Sequence, residues 1–366
     1  MPGNKTYPLE YAAAVHPGLE KVTAQEIAAR LPDARVLEQR RGWVVFHYPG
    51  DAGDLLELRT TEDVFALLYR TTELPTNRRA GIPLLTRMAQ HSRHWDQAIH
   101  AFYQAKHQKV KRVTFRVVAQ MTGKLGYRRQ EVRDAVLNGV SARWSRWKLI
   151  DDEAHIEIWA PVVDKWALLA VRLSDQRMRH RTYKNEHLPA SLRPTLAAAM
   201  VFLSRPRAGD RFCDPMCGVG TILAERALAG AYRQLLGGDL DSTAVRAAMA
   251  NLAPWCRSTH STNRDCAIHV WDARTLAVRS GSLDVVVSNL PFGEQVGSHE
   301  DNPALYQRVL HEIGRALRPG GRAILLSSEK DLMRRLVHDD PALHMEQQVL
   351  VGVLGRAARI YCLRKY

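Results

Sequence analysis

The sequence predicts an α/β protein in two parts. The C-terminal part reads as a Rossmann-like, doubly wound sheet of seven strands closed by an antiparallel hairpin, and the N-terminal part as a basic α/β region. Three observations predict this. From Arg211 onward, short apolar runs rich in β-branched residues alternate with helical stretches and end at acidic or polar residues. Two further runs, 348–353 and 358–363, flank Leu354-Gly355-Arg356 as a hairpin. The chain has 366 residues, 46% hydrophobic and 25% charged, an ordinary globular composition with no apolar run of membrane-spanning length.

Residues 1–65 are expected to form a small ferredoxin-like subdomain. Leu19, Val22, Ile27 and Leu31 share a helical face, 43–48 reads as a strand closed by Pro49-Gly50, and 54–69 reads as a second helix. Residues 66–173 form the next expected domain, with a helix at 96–103, a strand at 111–118, a loop marked by Gly123 and Gly126, and strands at 155–159 and 166–173. Val132, Val136, Val140 and Trp144 recur every four residues, a helical stripe. The formal charge is +14, and residues 100–190 hold 18 Lys/Arg against 9 Asp/Glu, so this segment is the expected polyanion contact. Lys106, Lys109, Lys111, Arg128, Arg129 and Arg133 are its candidate RNA-binding residues, and Tyr127, Trp144 and Trp147 are candidate stacking rings, with core packing the better reading for Trp144. Residues 174–187 are polar, basic and aperiodic, and are expected to be a linker whose Arg177, Arg179, Arg181 and Lys184 touch phosphates. This order and composition resemble the THUMP domain and its N-terminal companion, an RNA-binding unit of several tRNA-modifying enzymes. The resemblance implies a module that holds the acceptor end of tRNA.

Residues 188–366 make the expected C-terminal domain. Pro194 suits the first turn of an Ala-rich helix, whose start, with Arg193 and Thr195, would favour a ligand carboxylate. A strand then ends at Asp214 and opens into Pro215-Met216-Cys217-Gly218-Val219-Gly220-Thr221, where the glycines permit close approach of backbone to a ligand. This differs from the dinucleotide fingerprint and lacks the lysine of a phosphate-cradling loop. An acidic strand end suits a ligand with a cationic amino group, such as S-adenosylmethionine. Cys213 and Cys217 have no second Cys/His pair at ligand spacing, so no metal is expected. Five sparse cysteines and an N-terminus without an apolar signal segment lead to an expectation of reduced thiols in the cytosol. Gly238-Asp239-Leu240-Asp241 ends the next strand. Asp239 is the expected ribose acceptor, and Asp241 is the competitor that would otherwise cap a helix. Asp272-Ala273 ends a third strand, where Asp272 either accepts an adenine amine or is an exposed loop acid.

The last stretch is Ser288-Asn289-Leu290-Pro291-Phe292-Gly293. It follows the strand-like run 283–287, and its Pro and Gly force a rigid turn. An exocyclic base amine needs two hydrogen-bond acceptors and a stacking surface, which Asn289 Oδ1, the Leu290 carbonyl and Phe292 supply together. Taken with Asp214–Thr221, Gly-Gly-Asp-Leu-Asp and Trp-Asp-Ala in this order, the stretch resembles the amino-methylating group of class I S-adenosylmethionine-dependent methyltransferases. The whole chain resembles the THUMP-domain tRNA guanine-N2 methyltransferases. The resemblance implies Asn289, Leu290, Pro291 and Phe292 as catalytic. It implies Arg193, Thr195, Asp214, Met216, Cys217, Gly218, Gly220, Thr221, Asp239, Leu240, Asp272, Ala273 and Asn289 around the cofactor. It also implies a cytoplasmic monomer that methylates guanosine N2 at position six of the tRNA acceptor stem; relatives acting at position ten more often carry Asp-Pro-Pro-Tyr. The competing readings are guanine N2 elsewhere in tRNA or in ribosomal RNA, adenine N6, a small-molecule acceptor, and a non-catalytic RNA-binding scaffold.

Overall fold

A computed structural model describes residues 8–107, 111–188, 191–256, 265–292, 301–353 and 355–366. The chain separates into two compact units, one of residues 1–15 and 24–178 and one of residues 16–23 and 179–366.

Up to residue 180 the elements are β1 (Glu10–Val15), α1 (Glu20–Arg30), β2 (Arg35–Arg40), β3 (Trp43–His47), a 3-10 turn at Ala52–Glu57, β4 (Thr61–Thr71), α2 (Arg78–His91), α3 (Trp95–Lys106), β5 (Thr114–Thr122), α4 (Arg129–Arg143), β6 (Lys148–Leu149), β7 (Ile156–Val163), β8 (Trp166–Arg172) and α5 (Gln176–His180). The strands of the first unit form one eight-stranded sheet in the order β2-β3-β1-β4-β8-β7-β5-β6. The expected domain boundary at 65/66 falls inside β4, which pairs with β1 on one side and β8 on the other. The helix expected over 54–69 is replaced by the 3-10 turn and this strand. The reason is physical: β4 runs through the middle of the sheet and six consecutive residues of it are buried, so period-2 alternation is lost and the apolar run mimics a helix. α2 and α4 cover the sheet, and Gly139 lets them approach closely, since a Cβ there would lie 2.3 Å from the Thr86 carbonyl.

In the second unit the order continues with α6 (Pro194–Leu203), β9 (Arg211–Asp214), α7 (Thr221–Leu228), β10 (Gln234–Asp239), α8 (Ser242–Asn251), α9 (Ala253–Cys256), β11 (Asp265–Val270), β12 (Leu283–Asn289), α10 (Asn302–Ala316), β13 (Leu317–Ser327), α11 (Lys330–Asp339), β14 (Leu343–Val353) and β15 (Arg356–Lys365). Its seven strands are ordered β11-β10-β9-β12-β13-β15-β14. The first five are parallel to one another, β15 adds antiparallel to β13, and β14 pairs antiparallel with β15 at the edge. This is the expected doubly wound sheet with its terminal hairpin. The core lies on both faces: Phe212, Leu223, Val285, Val287 and Ile324 in one cluster, Cys213, Val286, Leu310, Ile313 and Leu325 in the other. Leu19, just before α1, and Val22, on its first turn, are buried in the former cluster, which is why residues 16–23 group with this unit.

Two further expectations are corrected. Cys256 and Cys266 are joined as a disulfide rather than both reduced, because α9 ends beside the edge strand β11 and brings their Cα atoms to 4.9 Å. A cysteine count carries no information on that register. The segment expected as a linker whose cations touch phosphates, 174–187, holds α5 and several buried side chains, among them Met178, Arg181, Tyr183 and Lys184. No helix among the described residues is long and apolar enough to cross a membrane.

Candidate active site

In a doubly wound sheet the crevice lies where strand order reverses, here between β9 and β12, at the carboxyl ends of the strands. Asp214 ends β9 and Asn289 ends β12. The Ser288 hydroxyl donates to Asp214 Oδ1 at 2.8 Å, which ties the two strand ends together. The Met216 N–H donates to the same oxygen at 3.3 Å. Asp214 is 1% exposed and its Oδ2 has no hydrogen-bond partner. Burial pushes its carboxyl up to about 7, against the lowering by Ser288 and by the Met216 N–H.

The glycine loop follows. Gly218 takes φ +51° and Gly220 φ +80°, and a Cβ at Gly218 would meet nothing within 4 Å, so the loop's backbone borders open space. Thr221 begins α7; its Oγ1 is buried without a partner. Asp239, at the end of β10, accepts from the Gly218 N–H at 2.9 Å through Oδ2 and from the Asp241 N–H at 3.1 Å through Oδ1. It therefore fixes both the loop and its own turn while remaining half-buried. The Asp241 carboxylate accepts from the Thr243 N–H at 2.7 Å and caps α8. Of the two acids, Asp239 is the one that touches the glycine loop. Leu240, 69% exposed, stands next to it.

Trp271 was not singled out by its sequence context. Its indole N–H donates to the Pro215 carbonyl at 3.0 Å and its backbone N–H to the Asp239 carbonyl at 3.1 Å. A Cβ at Gly238 would lie 2.2 Å from the Trp271 ring, so the second glycine of Gly-Gly-Asp is the space the ring occupies. That glycine pair was the one available signal. The neighbouring Asp272 is held by Arg274, with Nη2 2.6 Å from Oδ2, and this hydrogen bond keeps its carboxyl below the ordinary range. Its oxygens face a guanidinium, so the adenine-amine role is not what the geometry favours. Ala273 is buried behind it. At the start of α6, Thr195 is 1% exposed while Arg193 is exposed, and the Arg193 carbonyl accepts from the Leu196 N–H and Ala197 N–H. Met216 is half-buried and Cys217 buried; burial raises the Cys213 and Cys217 thiols, which remain neutral.

On the other side of the crevice, Asn289 Oδ1 is buried without a partner. The Leu290 N–H donates to the Leu326 carbonyl at 3.0 Å, extending the ladder between β12 and β13 by one bond. Pro291 has no N–H and ends it. Phe292 is half-buried; Gly293 lies outside the described residues.

These features suit S-adenosylmethionine. Asp214 Oδ2, Thr221 Oγ1 and Asn289 Oδ1 are three buried oxygens without partners, all at the crevice end of the sheet. The ammonium of such a ligand would pair with Asp214 Oδ2, and the open backbone at Gly218 leaves room for it.

Residues 181–356 match the family model described as UPF0020, RMKL-like, methyltransferase domain. A tRNA (guanine(6)-N2)-methyltransferase of Thermus thermophilus is 28% identical over 365 residues, covering 96% of this chain and 98% of that protein. The C-terminal part of the chain thus matches a methyltransferase-domain family, and the whole chain is similar to a tRNA guanine-N2 methyltransferase. The mouse (Mus musculus) tRNA (guanine(6)-N(2))-methyltransferase THUMP3 is 29% identical over 235 residues, covering 62% of this chain. The match spans 46% of that protein, so the chain answers to about half the length of its mammalian relatives. The crystal structure of TrmN from Thermus thermophilus superposes with a TM-score of 0.77 at 24% identity, covering 98% of this chain and 100% of the other, and shares the fold.

The basic residues expected to meet RNA differ in their surroundings. Lys111, Arg128, Arg129 and Arg177 are exposed, although Arg177 is clamped by Asp175 at 2.7 Å. Arg133 is half-buried beside Asp134 and Asp151. Lys109 lies outside the described residues. Lys106 donates to the Ser174 carbonyl at 3.1 Å, and burial lowers its ammonium. Arg181 is 8% exposed and paired with Glu225 at 3.2 Å, and Lys184 donates to the Leu192 carbonyl at 2.7 Å with its ammonium lowered to about 8 by burial. Arg179 is half-buried. Arg181 and Lys184 are thus parts of the interior, not phosphate contacts. A charge count cannot reveal this, because their partners, Glu225 and the Leu192 carbonyl, come from the folded domain. Of the candidate rings, Tyr127 is buried with its hydroxyl on the Pro75 carbonyl, and Trp144 and Trp147 stack on each other at 4.8 Å with Trp95 edge-on.

Proposed function

We propose that this chain transfers a methyl group from S-adenosylmethionine to the exocyclic N2 of a guanosine in tRNA, at position six of the acceptor stem. The observation that carries the reading is the unpartnered, buried Asn289 Oδ1 next to the Leu290 carbonyl, at the end of the strand that Ser288 ties to Asp214.

When bound, S-adenosylmethionine supplies an electrophilic methyl group. Asp214, Thr221 and the Gly218–Gly220 backbone hold the amino-acid end of the donor, and Asp239 accepts the ribose hydroxyls. Guanine N2 is a poor nucleophile because its lone pair is delocalised into the ring. Asn289 Oδ1 and the Leu290 carbonyl would accept its two hydrogens and favour a pyramidal nitrogen, which draws the lone pair out of conjugation with the ring. Alignment of that nitrogen with the methyl carbon supplies much of the remaining rate. Phe292 offers the flipped base a stacking face, and Pro291 stiffens the turn. Unstacking a stem nucleotide costs a few kcal/mol, which stacking and phosphate contacts offset. No strong base is required before transfer, since the nitrogen's proton turns acidic only afterwards. The exposed Lys111, Arg128 and Arg129 on the first unit supply phosphate contacts that position the RNA.

The test incubates the chain with unmodified tRNA transcripts and isotopically labelled S-adenosylmethionine, followed by nucleoside mass spectrometry and mapping of the labelled position. Labelled N2-methylguanosine at position six is expected. Label on adenosine N6, on a guanosine elsewhere, or nowhere in the RNA overturns the reading.

A further inference from the structure

Pro291 interrupts the strand ladder at the point where the proposed acceptor pair must be held still. The last bond between β12 and β13 is the one from the Leu290 N–H to the Leu326 carbonyl. The chain turns away at Pro291, which has no N–H. Its carbonyl instead accepts from the hydroxyl of Tyr306 at 2.8 Å. Tyr306 is on the second turn of α10 and is 0% exposed. The same hydroxyl lies 2.9 Å from Ser327 Oγ, the final residue of β13, and Ser327 Oγ accepts from the Glu329 N–H at 3.0 Å. One phenol therefore joins the turn after β12 to the end of β13, beyond the last ladder bond.

We propose that Tyr306 is a positioning residue for methyl transfer: by holding the Pro291 carbonyl it fixes the orientation of Asn289 Oδ1 and the Leu290 carbonyl towards the target amine. The inference rests on the methyl-transfer reading above. Tyr306 acts through the turn rather than on the reacting atoms. The phenol must keep its proton to donate, and burial raises it far above the working range, so it donates at any pH the enzyme meets. The ring fills the core beside Val309 and Leu310, so Tyr306→Phe removes the tie and keeps the packing. It leaves the Pro291 carbonyl without this donor, which loosens the turn by tenths of an ångström to an ångström, the scale on which positioning controls rate.

Tyr361 supplies an internal control, because it is also buried and its hydroxyl has no hydrogen-bond partner. The test compares wild type, Tyr306→Phe and Tyr361→Phe in single-turnover methylation of tRNA at saturating donor and RNA. It also measures donor affinity by calorimetry and amide exchange at Leu290 by mass spectrometry. Tyr306→Phe is expected to lower the single-turnover rate roughly 10- to 100-fold, to speed exchange at Leu290, and to leave both affinities within about two-fold; Tyr361→Phe is expected to match wild type. A wild-type rate in Tyr306→Phe overturns the inference, as does unaltered exchange at Leu290, a loss of donor affinity in step with the rate, or an equal loss in Tyr361→Phe. If wild type itself transfers no methyl group, the methyl-transfer reading fails, and the exchange measurement alone decides whether Tyr306 holds the turn.

Discussion

The hydroxyl of Ser288 meets Oδ1 of Asp214 at 2.8 Å. Through that bond the strand that ends in the glycine loop and the strand that ends in the Asn289-Leu290-Pro291 turn share one buried carboxyl. Its other oxygen has no partner, and burial holds the group up to about 7. The ligand-free site therefore carries a proton near neutral pH that a cationic ligand displaces.

This makes the stability of the ligand-free chain fall with pH. Asp214 titrates near the ordinary carboxylate value in the unfolded chain and near 7 when folded. Its contribution is fully present below the unfolded value, is lost as pH rises through the folded value, and is flat above it, with a span of order 4 kcal/mol if the whole shift is realised. Asp214→Asn has no such titration. Its unfolding free energy relative to wild type is expected to rise between about pH 4 and 7, and its donor affinity at pH 8 to drop at least ten-fold. Denaturant unfolding across pH and calorimetry with S-adenosylmethionine check the two halves. A pH-independent difference would remove Asp214 as the titrating group.

Asn289→Ala removes an acceptor that has no partner among the described residues. The loss falls on the transition state, where the amine's hydrogens are most acidic. The single-turnover rate is expected to fall by about 100-fold or more, the scale seen when one preorganised hydrogen-bond partner is deleted from an active site. RNA and donor affinities are expected to stay within a few-fold. A mutant that transfers methyl at the wild-type rate would refute the role of the amide.

Both motif-bearing strand ends, β9 and β12, were legible because each couples a short apolar run to a polar terminus and a turn, a pattern carried by adjacent residues. What stayed hidden depends on residues distant in sequence. β4 reads as a helix until β1 and β8 flank it inside one eight-stranded sheet. α2 contains Pro83, which sequence rules treat as a break. Arg181 and Lys184 look like free cations because Glu225 lies 44 residues from the former on α7, and the latter's partner is a carbonyl. Tyr306 and Trp271 are ordinary aromatics in the sequence, and only the closed sheet shows their hydroxyl and indole N–H bracing the two sides of the crevice.

The two acids of Gly-Asp-Leu-Asp separate by experiment. Asp239 accepts from Gly218 and so acts on the donor loop, whereas Asp241 caps α8. Asp241→Ala is expected to cost about 1 kcal/mol of stability, the usual worth of an N-cap, with donor affinity unchanged. Asp239→Ala is expected to weaken the donor at least ten-fold. Calorimetry and thermal unfolding of the two variants form the check, and the reverse pattern would hand the ribose to Asp241.

The cationic side chains separate by salt. A contact between an arginine and an RNA phosphate releases counterions, so each one lost reduces the slope of log affinity against log salt by somewhat less than one unit. Arg128 and Arg129 are exposed at the start of α4. Replacing both with alanine is expected to flatten the slope for tRNA by between one and two units while leaving the fold intact. Arg181 sits at 6% side-chain exposure against a fully buried Glu225, with the Tyr183 hydroxyl on the same carboxylate oxygen at 2.7 Å. Arg181→Gln takes the cation away from that buried carboxylate, and is expected to cost about 3–5 kcal/mol with the salt slope unaltered. Affinity measured over a salt series, beside unfolding curves for the same variants, distinguishes the two. If Arg181→Gln flattened the slope and kept its stability, the side chain would have to leave Glu225 to reach phosphate, and the buried ion pair would be the wrong account of it.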